Sequence, residues 1–271
     1  MITRWILSLL LVFTCWMTTI PSMAAATTDF PEISKKQWQK AEAISQKAIA
    51  ATEKGNFAQA EQYWSQLIQE FPQNPAVWSN RGNARVSQNL LAEAIADFDK
   101  AIELAPDAPD PYLNRGVALE GQGQFQAAIA DYNQVLRLNP EDAMALNNRG
   151  NAEAGLGDWN SAMKDYQKAA ELKPNFAFAR ANAALARYEI GETEIAFSEI
   201  QNLVRKYPMF ADMRAALTAI YWERGRQGDA ESNWVAAVGV DNRYQDLTWV
   251  KQVRRWPPKM TVALDHFLNL Q

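Results

Sequence analysis

An alanine returns every 34 residues along most of this chain, at Ala60, Ala94, Ala128, Ala162, Ala196 and Ala230. Other residue types keep step with it: Pro72, Pro106, Pro140, Pro174 and Pro208, and Gly55, Gly123, Gly157, Gly191 and Gly225, with Asn89 where a sixth glycine would fall. A fixed period of this length means that each repeat is one supersecondary unit, unable to bury its apolar face alone and stable only when stacked on its neighbours. The glycine near the middle of each unit releases the chain from a first helix through a left-handed turn, and the proline near the end stops a second. Pairs of antiparallel helices are expected, an all-α array.

The register is clearest in 75–108, where Trp78, Gly82, Ala94, Phe98, Ala101 and Pro106 follow one another, and it recurs in 109–142 as Tyr112, Gly116, Ala128, Tyr132, Val135 and Pro140. Unit 143–176 repeats it with Leu146, Gly150, Ala162, Tyr166, Ala169 and Pro174. Units 41–74, 177–210 and 211–244 are weaker in the first helix, where Ile44, Arg180 and Arg214 replace the large apolar residue. Small residues let helix backbones approach, and Trp64, Phe98, Tyr132, Tyr166 and Trp234 fill the space beside them. This pattern resembles the tetratricopeptide repeat. The resemblance implies a solenoid, a right-handed superhelix of antiparallel helix pairs, with six repeats in one elongated domain plus terminal capping helices.

Outside the repeats, Arg4, an apolar stretch from Trp5 to Ile20, Pro21 and the run Ser22-Met23-Ala24-Ala25-Ala26 have the layout of a secretory signal peptide over 1–24. The apolar stretch falls short of the roughly 20 residues that span a bilayer. Cleavage after Ala24 or Ala26 is expected, an uncleaved membrane anchor being the alternative. Cys15 is the only cysteine, so the mature chain has no disulfide or thiolate metal site. Removing 1–24 leaves 26 basic against 31 acidic residues, a balance that courts neither nucleic acid nor anionic lipid.

Residues 25–40 read as a leader followed by the start of a capping helix, expected from about Ser34 to Lys54, with a capping box from Ser34 to Gln37 and a staple between Ile33 and Trp38. At the other end, 245–271 reads as a capping module: one helix from Asp246 to Arg255, a break at Arg254-Arg255-Trp256-Pro257-Pro258, and a last helix from Lys259. Met260, Val262, Ala263, Phe267 and Leu268 form that helix's apolar face, with Leu270 near its end. The module resembles the tail of tetratricopeptide proteins from cyanobacteria and the chloroplast thylakoid lumen. It serves either as a solenoid cap or as a docking element, in which Arg254 or Arg255 meets a carboxylate or stacks on Trp256.

In the family, certain residues of each first helix face a concave groove. Carried onto this chain, they give an amide row of Asn80, Asn83, Asn114, Asn147, Asn148, Asn151 and Asn182, and apolar places at Leu113, Val117, Met144, Phe178, Leu185, Tyr188 and Trp222. Asparagine both donates to and accepts from a peptide backbone. Either these apolar residues line a groove for an extended peptide or amphipathic helix, or they curl into neighbouring helices or lie beneath the C-terminal cap. The basic clamp that some family members use for a C-terminal carboxylate is incomplete here, with Ser79, Met144 and Asn148 at the expected places. Arg81, Arg115 and Arg149 share a phase, as do Asp97, Asp131 and Asp165, and are expected to pair in a structural ladder.

No phosphate loop, dinucleotide fingerprint, nucleophile elbow or metal-spaced cluster is present, and the single histidine, His266, lies in the terminal helix. Neither cofactor, metal, nucleic acid nor small-molecule substrate is expected. The sequence therefore leads to an exported, non-enzymatic scaffold in the periplasm or thylakoid lumen that binds a protein or peptide partner. By the same resemblance, the partner is a subunit of a membrane or photosynthetic complex whose assembly it aids. A structural adaptor using the outer face or the cap is the alternative, and a carboxylate-based glycan hydrolase a remote one.

Overall fold

A computed structural model describes residues 34–269, so the leader, Ile33 and Leu270 lie outside the described residues. Within that range the chain is helical, without a strand: α1 Lys35–Glu53, α2 Phe57–Glu70, α3 Pro75–Val86, α4 Leu91–Leu104, α5 Pro109–Gly121, α6 Phe125–Leu138, α7 Ala143–Gly155, α8 Trp159–Leu172, α9 Ala177–Ile190, α10 Thr193–Lys206, α11 Ala211–Glu223 and α12 Gln227–Val240. A 3-10 turn, Asn242–Gln245, leads to α13 Leu247–Gln252 and α14 Pro258–Leu268. The chain divides into two compact units between Gln122 and Gly123. No described helix is long and apolar enough to cross a membrane.

In the first unit α1 opens with the expected capping box: the Gln37 amide donates to Ser34 Oγ, and Gln37 Oε1 accepts from the Ser34 amide at 3.0 Å. The first helix of each pair ends where a residue can take positive φ. Asn89, the one non-glycine at this phase, does so at φ 60°, in the left-handed region that asparagine tolerates better than other side chains. Second helices stop where a residue precedes proline, as at Phe71 and Ala105, whose ψ values of 60° and 75° are outside the helical range. Gly82 shows why the small residue is needed: a Cβ there would lie 2.6 Å from Cε1 of Phe98, which is wholly buried. Consecutive helices from α1 to α5 pack on one another, and α3 also meets α5.

The second unit repeats these devices from α6 to α12. Gly191 caps α9 at φ 96°, and a Cβ on Gly150 would meet Tyr166 at 2.8 Å. Asp241 shows the same extended break after α12 although Asn242 replaces the proline, and its carboxylate accepts from the Arg243 amide instead. Arg214, where the repeat pattern wants a large residue, takes over one job that Trp78 performs in its own unit. Trp78 Nε1 donates to the Pro72 carbonyl at 2.8 Å, and Arg214 Nε to the Pro208 carbonyl at 2.6 Å.

The C-terminal module departs from expectation. The helix expected over Asp246–Arg255 covers only Leu247–Gln252, because Arg255 turns to φ 56° and the following prolines keep the chain extended. The last helix begins at Pro258, one residue early, proline being well suited to a first helical turn. Its inward face is Met260, Ala263, Leu264 and Phe267, all fully buried, whereas Val262 points outward and is half exposed. α14 packs on α11 and also reaches α9, so the module lies against first helices of the second unit.

Candidate functional site

Placing the end of the chain against α9 and α11 requires polar anchors, because a first-helix face carries amides as well as apolar residues. The central anchor is Asp212, buried near the start of α11. Its Oδ1 accepts from Arg254 Nε at 2.9 Å, Trp256 Nε1 at 2.7 Å and Tyr244 Oη at 2.7 Å, while Oδ2 accepts from Arg254 Nη2. Burial alone would lower the Arg254 pKa, but the Asp212 charge and hydrogen bonds outweigh it and hold the guanidinium above its ordinary value. Burial, reinforced by Asp212, raises the Tyr244 phenol. Lys259 completes the attachment, its amide donating to Glu189 Oε2 at 2.8 Å.

Beneath this anchor the amides bond to one another. Asn182 Nδ2 donates to Asn147 Oδ1 at 3.2 Å and to Asn151 Oδ1 at 3.4 Å, and Asn182 Oδ1 accepts from Arg254 Nη2 at 3.1 Å. Asn151 also accepts from Tyr166 Oη at 2.9 Å, and Asn148 Oδ1 from Asn147 Nδ2 at 3.4 Å. The apolar places are occupied too. Leu185, 2% exposed, belongs to the same core as Met260 and Phe267. Trp222 meets Phe267 edge-on at 5.3 Å, and buried Tyr188 donates to Glu223 and lines a cavity with Pro258, Lys259 and Val262. For Leu185, Tyr188 and Trp222 the open-groove alternative gives way to the other: they lie beneath the C-terminal cap.

Arg254 and Trp256 are likewise no free docking element, since the carboxylate they meet is Asp212. Arg255 sits with its guanidinium 5.6 Å from the Phe125 ring. Met144 is half-buried in the first turn of α7, whose N-terminus Asp142 caps. Phe178 is 49% exposed and stacks edge-on against Phe210 at 5.5 Å.

Among the described residues of the first unit the amides are not tied up in this way. On α3 and α5, Asn80 and Asn114 are half-buried and Asn83 is exposed, and none of these three side chains makes a hydrogen bond within the described residues. Val117 beside them is 41% exposed. Leu113 likewise takes the alternative of packing among neighbouring helices: it is 4% exposed, buried where α5 packs beside α3 and α4.

Arg81 and Asp97 form the expected ladder rung, through Nε at 2.9 Å and Nη2 at 2.7 Å, and Arg85 adds a third contact at 2.9 Å. Arg149 and Asp165 pair in the same two-point way at 2.6 and 2.8 Å, whereas Arg115 also reaches Asp99 at 2.6 Å. Asp97 and Asp165 are buried, so these rungs are internal supports. Beside Arg149, Glu153 has its pKa pushed up to about 7, chiefly by burial and next by the charge of Asp165. Its Oε2 is buried without a hydrogen bond. Among the described residues no group of three or more His, Cys, Asp or Glu side chains is placed to hold a metal ion.

Asp212 and Tyr244 were not singled out from the sequence. The available signal was an acid in α11, ADMRAALTAIYWE, whose other residues are mostly apolar: such a carboxylate is buried only with partners.

Helix pairs repeating every 34 residues, with glycine turns between and aromatic-on-glycine packing within, define a helical-repeat protein. The family model for the tetratricopeptide repeat matches residues 45–109 and 113–175. Over those residues the chain carries tetratricopeptide repeats, and its fold is that of a tetratricopeptide-repeat array. Its fold is shared by a tetratricopeptide repeat protein from Parabacteroides merdae ATCC 43184, at 21% identity and a TM-score of 0.65, covering 86% of this chain and 98% of that one. It is also similar to YrrB, described as a TPR protein with an unusual peptide-binding site, at 22% identity and a TM-score of 0.53 over 66% of this chain and 92% of YrrB. MamA from Desulfovibrio magneticus RS-1 follows at 18% identity and a TM-score of 0.58, over 64% and 96%. At these identities the likeness is one of fold. No curated protein matches the chain.

Proposed function

We propose that the chain is a protein-interaction scaffold that takes an extended peptide segment of a partner on the first-helix face of α3 and α5. The observation that carries this is the contrast between its amides. Asn147, Asn151 and Asn182 are spent on one another and on Arg254, whereas among the described residues the side chains of Asn80, Asn83 and Asn114 form no hydrogen bond. A peptide backbone offers the alternating donors and acceptors that carboxamides satisfy, and Val117 supplies an apolar contact beside them. The peptide-binding site described for YrrB supports the same class of ligand. Location and process rest on sequence: the signal-peptide layout over 1–24 supports export to the periplasm or thylakoid lumen, and the resemblance of the 245–271 tail supports a role in assembling membrane complexes.

The test is to select binders from a library of extended peptides with the chain from residue 25 onward, and then to measure their affinity for Asn80→Ala, Asn83→Ala and Asn114→Ala. Each lost hydrogen bond is worth about 1 kcal/mol, a fall of roughly fivefold per amide. Affinities unchanged across all three folded variants would refute the reading.

A further inference from the structure

The acidic balance of the whole chain argues against an anionic lipid surface, but charge is a local property and one edge of the second unit departs from the average. There the loops leading into α9 and α11 bring aromatic rings together. Phe178 and Phe210 pack edge-on at 5.5 Å and Tyr207 and Phe210 at 6.5 Å. Met209, in the turn just before Phe210, is 73% exposed, and Phe178 is half exposed. Cations flank the rings: Lys173 Nζ lies 5.4 Å from the Phe176 ring and Lys206 Nζ 5.2 Å from the Tyr207 ring. Arg180 and Lys206 line one cleft of about 390 Å³, which Glu171 and Glu199 share. The two acids have cations of their own: Glu199 Oε2 lies 3.3 Å from Arg187 Nε, and Glu171 Oε2 3.5 Å from Lys168 Nζ. Among the described residues Lys173, Arg180 and Lys206 form no salt bridge, whereas most arginines of the chain do.

Protruding apolar tips ringed by unpaired cations fit a fluid interface better than a protein groove. Aromatic rings and a methionine enter the boundary between headgroups and acyl chains, while lysine and arginine stems reach back to the phosphates. Two loop tips offer little of the roughly 800 Å² a side that a stable protein complex buries. We propose that this edge, built on Phe178, Met209 and Phe210 with Lys173, Arg180 and Lys206, docks the protein on an anionic lipid surface. The proposal is independent of peptide binding, because Asn80, Asn83 and Asn114 belong to the other unit.

Co-sedimentation with vesicles tests it, using the chain from residue 25 onward so that the apolar stretch 5–20 cannot insert. Binding is expected to vesicles of phosphatidylcholine mixed with phosphatidylglycerol, absent from phosphatidylcholine alone, and weakened by salt. A cation near such a surface contributes enough that Lys206→Gln and Arg180→Gln each weaken binding roughly fivefold. Met209→Asp removes the inserting tip and is expected to abolish binding; its exposure makes loss of fold a poor explanation, and unchanged circular dichroism checks this. Absence of binding to either vesicle, equal binding to both, or binding unchanged in Met209→Asp overturns the proposal. Self-association lost in Met209→Asp without vesicle binding also overturns it, assigning the edge to a second copy of the chain.

Discussion

Arg254 and Asp212, 42 residues apart in sequence, meet in a two-point contact, with Nε 2.9 Å from Oδ1 and Nη2 bonded to Oδ2. The same carboxylate accepts from Trp256 and Tyr244, so one buried acid gathers the 3-10 turn and the Arg254–Pro258 break onto α11. Asp212→Ala leaves a buried guanidinium, an indole N–H and a phenol without their acceptor. The expected loss is about 3–5 kcal/mol, confined to the second unit and read by denaturant unfolding followed on tryptophan fluorescence. Arg254→Ala is expected to cost less, because Asp212 keeps two donors.

Glu153 makes stability depend on pH in a stated direction. Its folded pKa, about 7, lies above the ordinary 4.5, so the folded state holds a proton that the unfolded state has lost between those values. Stability therefore falls as pH rises through that window and levels off above it. Glu153→Gln removes the effect and is expected to stabilise the protein above pH 7 by about 1 kcal/mol after allowance for partial solvent screening. Thermal melts of both proteins at pH 4.5 and pH 8 measure it, and a wild-type stability that rises across the window would contradict the assignment.

Asn89 holds φ 60° where glycines hold the same turn in other repeats. Asn89→Gly relieves the Cβ contact of a left-handed residue, which exceeds the extra entropy of an unfolded glycine, and is expected to stabilise the first unit by a few tenths of a kcal/mol up to about 1. A lower denaturation midpoint in this variant would show that the asparagine side chain is itself needed.

Close packing at Gly82 and Gly150 predicts the reverse. An added methyl would stand 2.6 Å from Phe98 and 2.8 Å from Tyr166, and the oxygen of Ala162 lies 3.2 Å from the latter position. Gly82→Ala and Gly150→Ala are each expected to cost about 1–3 kcal/mol, Gly150→Ala the more because backbone gives way less readily than a ring. Equal stability to the parent would mean that the rings have room to withdraw.

These positions also show where the sequence was informative. Local rules decide the turns and the small-against-large packing, so Gly191, Asn89, Gly82 and Phe98 could be read from spacing alone. Arg81 with Asp97 followed from shared phase. Leu185 and Tyr188 could not be settled in this way, because their periodicity is the same whether the first-helix face is open or covered. What covers them is a segment about 70 residues onward, and its path depends on positive φ at Arg255 and on a buried acid at Asp212. Arg180 and Arg214 looked like equivalent failures of the repeat pattern, yet Arg214 ties down the Pro208 carbonyl and Arg180 lines a cleft.

The most direct measurement is hydrogen–deuterium exchange on the chain from residue 25 onward, with and without a saturating peptide selected from the extended-peptide library. Binding across the Asn80, Asn83 and Asn114 amides predicts slowed exchange in Pro75–Val86 and Pro109–Gly121, with Ala177–Ile190 and Ala211–Glu223 unchanged beneath the tail. Protection in Ala177–Ile190 and Ala211–Glu223, together with faster exchange in Pro258–Leu268, would show instead that the peptide displaces the C-terminal helix and that the covered face is the binding site.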